Sequence, residues 1–371
     1  MIRLASPDIR EEDIDRLLAV IRSGELVQGK SVVEFERTIS EFSGIPHCAA
    51  VSSGTAALHL ALIALGIGHG DHVLVPAFTF PATANAVECV SASVVLCDVA
   101  PGTYVVTPDA IEAALSSSKG SAIKAVILVH EFGFPAEVKR IAEIAKRHGV
   151  KLIEDAACAL GTVADGHHPG QYSDVACLSF HPRKAITTGE GGALLSHNAG
   201  LIEQLKRLRN HGIKVRDSGL DFTEAGLNYR LTNFQAALGI GQMLRFNDEL
   251  IARKKLASHY RFRLAGTSQI TLPEDNSSHS WQSFMIVVEG MSRDLLKTGL
   301  LERGVESNLG AQALNCLSYF RTKYQTDELL CPEATRLYQR GLVLPLYGKL
   351  TVKQIDIICD QLLAVIEGFD K

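Results

Sequence analysis

The sequence predicts an α/β fold: a mainly parallel seven-stranded sheet in a large N-terminal domain, followed by a smaller α+β domain. Three observations carry this. Seven short apolar segments, "CAAVSS", "HVLVP", "SVVLCDV", "KAVILVH", "VKLIED", "DVACLSF" and "GGALLSH", recur between helix-like stretches. Several are continuously apolar rather than alternating, as strands covered on both faces are. Beyond a long helical stretch the pattern thins to sparse strands and helices, "WQSFMIVVEG" and "RDLLKTGLLERG" among them. A chain of 371 residues, 46% of them hydrophobic, can bury a large core and supports about two domains. The division is expected at 1–245 and 246–371.

The elements follow in order. Ile14, Leu17, Leu18 and Ile21 mark one apolar helical face, ended by Gly24. "VVEFERTISEFSG" is a second helix closed by Gly44. "TPDAIEAAL" offers Thr107 as cap and Pro108 in the first turn. "PAEVKRIAEIAKRHG" ends at Gly149. "RNHGIKVRDSGLDFTEAGLNYR" lacks clean periodicity and reads as a long loop of the kind that often carries function. From Asn233 one helix is expected to run unbroken to Gly266.

Composition excludes several classes. The net charge of −4 provides no broad basic field for nucleic acid or an anionic membrane. The start, "MIRLASPDIREEDIDRLL", does not read as a signal peptide, and no apolar run is long enough to span a bilayer. The eight cysteines are scattered without a CxxC pair, so free and mostly buried thiols in a reducing cytoplasm are expected. His167-His168 sits in a Gly/Pro turn, where adjacent side chains rarely converge on one ion, so no metal is expected.

Four segments carry residues suited to chemistry. In "AAVSSGTAALHLAL" a strand runs through Ser-Ser-Gly-Thr into a helix. Gly54 permits close backbone approach, and the free N–H groups of the helix start could cradle a phosphate. An ordinary helix cap explains the segment equally well. Asp155 ends the strand "VKLIED", where ligands of parallel sheets gather. A carboxylate there could hold a protonated ring nitrogen, or act as a structural cap. Glu154 competes for the role, and alternation places the two on opposite faces. Phe78 and Phe80 share a face if "VPAFTFPATANAV" is extended, and either one could stack on a flat cofactor or pack in the core. Lys184, in "SFHPRKAITTGEGG", follows a strand by a few residues, and in a confined site such an amine attacks carbonyls. A phosphate cradle, a strand-end carboxylate and a loop lysine together match the needs of pyridoxal phosphate: an anion site, a partner for the ring nitrogen and an amine for the aldehyde.

"SGTAALHLAL", "PAFTFPATANAV", "LIEDAACALG", "SFHPRKAITTGEGG" and "NYRLTNFQAALG" resemble, in order, the motifs of the DegT/DnrJ/StrS sugar aminotransferases, which have the fold type I architecture of pyridoxal phosphate enzymes. The resemblance extends from "GELVQGKSVVEFE" to "LPLYGKLT". It implies that Lys184 bonds the cofactor's aldehyde, that Asp155 pairs with the ring nitrogen, and that Gly54, Thr55 and Ser179 hold the phosphate. It implies that Phe80 stacks on the ring and that Asn228 reaches the phosphate bound by a partner chain, making a homodimer with shared sites. Cys158 stands near the ring hydroxyl where the family often has glutamine, and Gln312 stands where a tyrosine is expected. The reaction implied is transfer of an amino group, expected from L-glutamate, to a nucleotide-linked keto sugar, a 4-keto-6-deoxy hexose or a 3-keto sugar, for amino-sugar or surface polysaccharide synthesis. His181, Arg183, Arg209, His211, Lys214, Arg216 and Arg230 are the candidates for meeting that substrate. A cyclitol aminotransferase or an aminohydroxybenzoate-type synthase is the alternative within this chemistry. The dehydrogenase reading fails because "GIGHGD" follows a helix and precedes a strand, the reverse of the dinucleotide fingerprint. A DNA-binding regulator lacks a basic face or recognition helix.

Overall fold

A computed structural model describes residues 1–117, 120–217 and 219–369. Each of the seven apolar segments is a strand: β1 (His47–Val51), β2 (His72–Pro76), β3 (Ser93–Cys97), β4 (Ile123–Val129), β5 (Lys151–Asp155), β6 (Val175–Ser179) and β7 (Gly192–Ser196). They form one sheet in the order β1-β7-β6-β5-β4-β2-β3. β7 alone runs against its neighbours β1 and β6, and the remaining pairs are parallel. Apolar clusters cover both faces, with Val126, Leu128 and Leu152 in one and Ala125, Ile127 and Ile153 in the other. This double burial is why the strands read as unbroken apolar runs.

The helices of the sheet-bearing half are α1 (Glu11–Ser23), α2 (Lys30–Ser43), α3 (Gly54–Ala64), α4 (Ala82–Cys89), α5 (Pro108–Ser116), α6 (Val138–His148), α7 (Ala199–Leu208) and α8 (Asn233–Leu244). Gly24, Gly44 and Gly149 close α1, α2 and α6 in the left-handed conformation, where a side chain is disfavoured. Thr107 caps α5 by accepting from the Ala110 amide.

The apolar face of α1 is partly covered: Ile14 and Leu17 are half-buried, Leu18 and Ile21 are exposed, and the buried residue is Asp13, gripped by Arg245 at 2.5 and 2.8 Å. Two expectations are corrected. The helix from Asn233 is not continuous. It breaks at Arg245 (φ −115°, ψ 13°), and α9 (Phe246–Leu264) starts afresh. The loop after α7 is a two-stranded ribbon of β8 (Ile213–Arg216) and β9 (Gly219–Phe222), tied by an Arg216–Asp221 ion pair at 2.7 Å. Ser218 lies outside the described residues.

The rest of the chain packs α9 against a three-stranded sheet of β10 (Ile270–Thr271), β11 (Phe284–Val288) and β12 (Gly341–Leu344) and the helices Arg293–Glu302 and Val352–Phe369. The N-terminus joins this layer, since Ile2 bridges Val305 and the Leu4 amide donates to Glu306 at 3.0 Å. Met285, Val287 and Val343 also belong to a cluster that reaches the large sheet, so the two layers share apolar packing. Among the described residues no helix is long and apolar enough to cross a membrane.

Candidate active site

The carboxyl ends of β4, β5 and β6, the start of α3 and the loop between β6 and β7 converge on one cavity of about 620 Å³, a volume typical of cofactor and small-ligand sites. Gly54, Thr55, Phe80, Asp155, Cys158, Ser179, His181 and Lys184 all line it.

At one end β1 turns into α3. The Ser53 hydroxyl caps the helix by accepting from the Ala56 amide at 3.0 Å. The Gly54 and Thr55 amides belong to the first turn of α3, where N–H groups have no partner within the helix. Gly54 is required by close approach, because a Cβ there would lie 2.9 Å from the Ser179 Cβ. The cap reading and the cradle reading are therefore compatible: Ser53 caps and Gly54-Thr55 stay free.

At the other end Asp155 closes β5. Its Oδ2 accepts from the Thr83 hydroxyl at 2.8 Å and its Oδ1 from the Ala157 amide at 3.1 Å. Thr79 lies 3.0 Å from the Thr83 oxygen and extends the chain. Burial pushes the Asp155 carboxyl above its ordinary value, while the Thr83 and Ala157 hydrogen bonds and the charges of Lys184 and His130 pull it back. Glu154, on the opposite face as alternation requires, is fully buried. It faces His130 Nε2 at 2.7 Å and accepts from the Gly170 amide and the Ser173 hydroxyl. Its role is structural.

Lys184 lies between these ends, with Nζ 2.9 Å from Cys158 Sγ. Burial pushes its ammonium down, but Cys158, Glu131 and Asp155 outweigh this and hold it above its ordinary value. Burial also raises the Cys158 thiol, which stays protonated at neutral pH. Asp155 and Glu131 are the carboxylates that act on the lysine. The lysine loop is fixed at its root: the Ala185 amide donates to Gln282 Oε1 and the Thr187 amide to Gln242 Oε1.

Phe78 is buried in the core, whereas Phe80 lines the cavity and is 68% exposed. Arg209 is corrected as a substrate candidate. Only 2% exposed, it lies away from the cavity and is bound to Glu36 and the Ala50 carbonyl, tying α2 and β1 to the end of α7. His211, exposed at the root of the ribbon, and Arg230, bonded to Asn210 at 2.7 Å, also lie outside the residues lining the cavity. Asn228 is exposed on the same segment. His167 and His168 diverge, the first against Tyr172 and the second against Phe42 and the Thr162 carbonyl.

Sequence reasoning missed Glu131, Gln282 and Asn308 on the cavity wall. Glu131 had a signal, since it follows an unbroken apolar strand as Asp155 does. Gln282 and Asn308 come from the C-terminal layer, where no pattern points to the site.

The DegT/DnrJ/EryC1/StrS aminotransferase family matches residues 7–363. Among solved structures, Spr1654 of Streptococcus pneumoniae, a protein assigned as a sugar aminotransferase and seen in its PMP form, superposes with a TM-score of 0.93 at 27% identity, covering 99% of this chain and 100% of that one. A DegT DnrJ EryC1 StrS aminotransferase from Brucella abortus gives 0.88 at 32% identity over 95% of each chain. DesV of S. venezuelae, seen with a ketimine intermediate, gives 0.88 at 30% identity over 95% of this chain and 93% of that one.

Proposed function

This chain belongs to the DegT/DnrJ/EryC1/StrS aminotransferase family, and from that premise we propose that it aminates a nucleotide-linked keto sugar with L-glutamate as donor. It has the fold type I architecture and is a pyridoxal phosphate-dependent aminotransferase of the sugar-aminating kind. The observation that supports the cofactor's place here is the convergence of an amine, a buried carboxylate and a helix N-terminus on one cavity.

The donor set fits the cofactor. The Gly54 and Thr55 amides, the positive end of α3 and the Ser179 hydroxyl would hold the phosphate. Asp155, a buried carboxylate at a raised pKa, lacks a cation at hydrogen-bond distance among the described residues, and a protonated ring nitrogen would supply one. Phe80 would cover the ring, and Cys158 would lie by its hydroxyl. When bound, pyridoxal phosphate supplies an aldehyde that takes up the amino group and a ring that draws off the electron pair left by the departing proton.

The chain's own work is then positional and acid–base. Lys184 would bond the aldehyde through its Nζ, and once freed its amine would be the group that takes up the proton lost from the donor's α-carbon and hands it on. Thr83 and the Ala157 amide hold Asp155 in place through the cycle. His181 and Arg183, at the cavity rim, would meet the acceptor's diphosphate. We assign the exposed β8–β9 ribbon and Asn228 to a second copy of the chain, which would complete each site in a homodimer. Val215, Leu220 and Phe222 on the ribbon are exposed apolar residues that such a contact would cover. A cytoplasmic setting suits the free thiols.

Lys184→Ala is expected to lose the yellow lysine-linked cofactor and all turnover. Borohydride treatment of the wild-type holoenzyme should label the peptide containing Lys184, and labelling elsewhere would defeat the assignment. Mixing the aminated form with a panel of keto sugar nucleotides identifies the acceptor by return of the yellow colour. Glutamate should reverse it faster than other amino acids.

A further inference from the structure

The cavity holds a second carboxylate, Glu131, that the mechanism above does not use. It sits just past the carboxyl end of β4, only 5% exposed. Among the described residues no ion pair closes on it, and its one hydrogen bond comes from the neighbouring Phe132 amide. A buried carboxylate without a close cation is costly unless its surroundings use it.

The turn that carries it is held in an unusual shape. Phe132 is left-handed (φ 56°), and Gly133 follows at φ 90°. A non-glycine residue there persists only where its environment over-determines it. Here Phe132 is buried edge-on against Tyr104 at 5.0 Å and Phe78 at 6.1 Å. Gly133 has no room for a side chain, since a Cβ would meet the Ser280 oxygen at 2.1 Å. The Gly133 carbonyl accepts from Thr162 and from the Ser280 amide. The turn therefore fixes Glu131 on the cavity wall.

The charged groups facing Glu131 are Lys184 and Asp155, with the Cys158 thiol beside them. His130, its chain neighbour, directs Nε2 to Glu154 instead. His181, Arg183 and Glu190 line the same cavity. Asp155 is already committed to Thr83 and Ala157 and Glu190 is exposed, which leaves Glu131 as the second buried carboxylate facing the lysine.

We propose that Glu131 is the electrostatic positioning partner of Lys184: as an anion it steadies the positive charge on the lysine nitrogen. The inference rests on the assignment of Lys184 as the cofactor lysine. Burial pushes the Glu131 carboxyl up to about 7 while the Lys184 charge draws it down, so the anion is present on the alkaline side of neutrality.

The test is a pH titration of the yellow band of the holoenzyme, which reports protonation of the cofactor-bearing Lys184 nitrogen. Loss of a neighbouring negative charge destabilises a cation. Glu131→Gln, nearly equal in shape, is therefore expected to lower the apparent pKa of the band by about one unit, tenfold in the equilibrium constant, and to displace the acid limb of kcat in the same direction. Glu131→Asp should fall between the two and keeps the test open if the Gln protein does not fold. An unshifted titration in a variant that binds cofactor would overturn the proposal. So would a raised donor KM with the titration unmoved, which would place Glu131 on the substrate. A wild-type protein without a titrating band would instead sink the Lys184 assignment itself.

Discussion

Asp155 and Glu131 stand at the carboxyl ends of adjacent strands, and their surroundings treat them differently. Asp155 accepts from a hydroxyl and an amide, whereas among the described residues the donor favouring the Glu131 anion is the neighbouring Phe132 amide. Thr83→Val removes the hydroxyl and leaves an unsatisfied carboxylate oxygen, which raises the Asp155 pKa further. Turnover should fall about tenfold, in line with roughly 1.5 kcal/mol for a hydrogen bond to a charged group, and Thr83→Ser should restore it. The acid limb of the pH–rate profile should move up, because the carboxylate would now protonate at a higher pH. Glu131 also gives the apoprotein a pH-dependent stability. Its folded pKa of about 7 exceeds the unfolded value of 4.5, so the folded state holds the proton more tightly. That contribution is fully present below the unfolded value and is lost as pH rises through the folded one. It amounts to about 3 kcal/mol and should be missing from the pH dependence of unfolding midpoints in Glu131→Gln.

The elements were legible where burial imposed a simple pattern. The seven strands are covered on both faces, so their unbroken apolar runs mark them. The ribbon was not read, although "IKVR" and "GLDF" alternate around a short polar turn. Its signal is brief, and neither face meets a core within this chain. The partly covered apolar face of α1 makes a related point: periodicity shows which residues share a side, not what covers that side. Arg209 could not be placed from sequence because its partner Glu36 is distant along the chain and belongs to α2. Arg209→Ala should leave Glu36 with Lys206 and the Ala50 amide and cost about 2 kcal/mol, read as a lowered unfolding midpoint, with the acceptor's KM unmoved. A raised KM would return Arg209 to the substrate site.

For the whole molecule, the sequence pointed to the cofactor through three residues from three different strand–loop junctions, and the sheet brings those junctions together. It did not reveal that the C-terminal layer supplies Gln282 and Asn308 to the same cavity. That contribution depends on packing between distant segments. The proposed homodimer belongs to this scale. Placing charge on the ribbon, as in Val215→Glu with Phe222→Glu, is expected to shift the light-scattering mass to that of one chain and to abolish turnover while the circular dichroism stays unchanged. Retention of both the larger mass and the activity would show that the ribbon serves another purpose.

The reversed direction of β7 has a mechanical consequence. The segment bearing Lys184 leaves the sheet on β6 and returns beside it on β7, so it is a span clamped at both abutments on one edge. The Phe180 amide is tied across it to the Gly191 carbonyl at 2.8 Å, and the Thr188 amide to the Phe180 carbonyl at 3.0 Å. Such a span cannot swing open unless the strands beneath it unzip. Its amides should resist deuterium even with the coenzyme stripped away, and the reactive nitrogen would stand ready before the vitamin arrives.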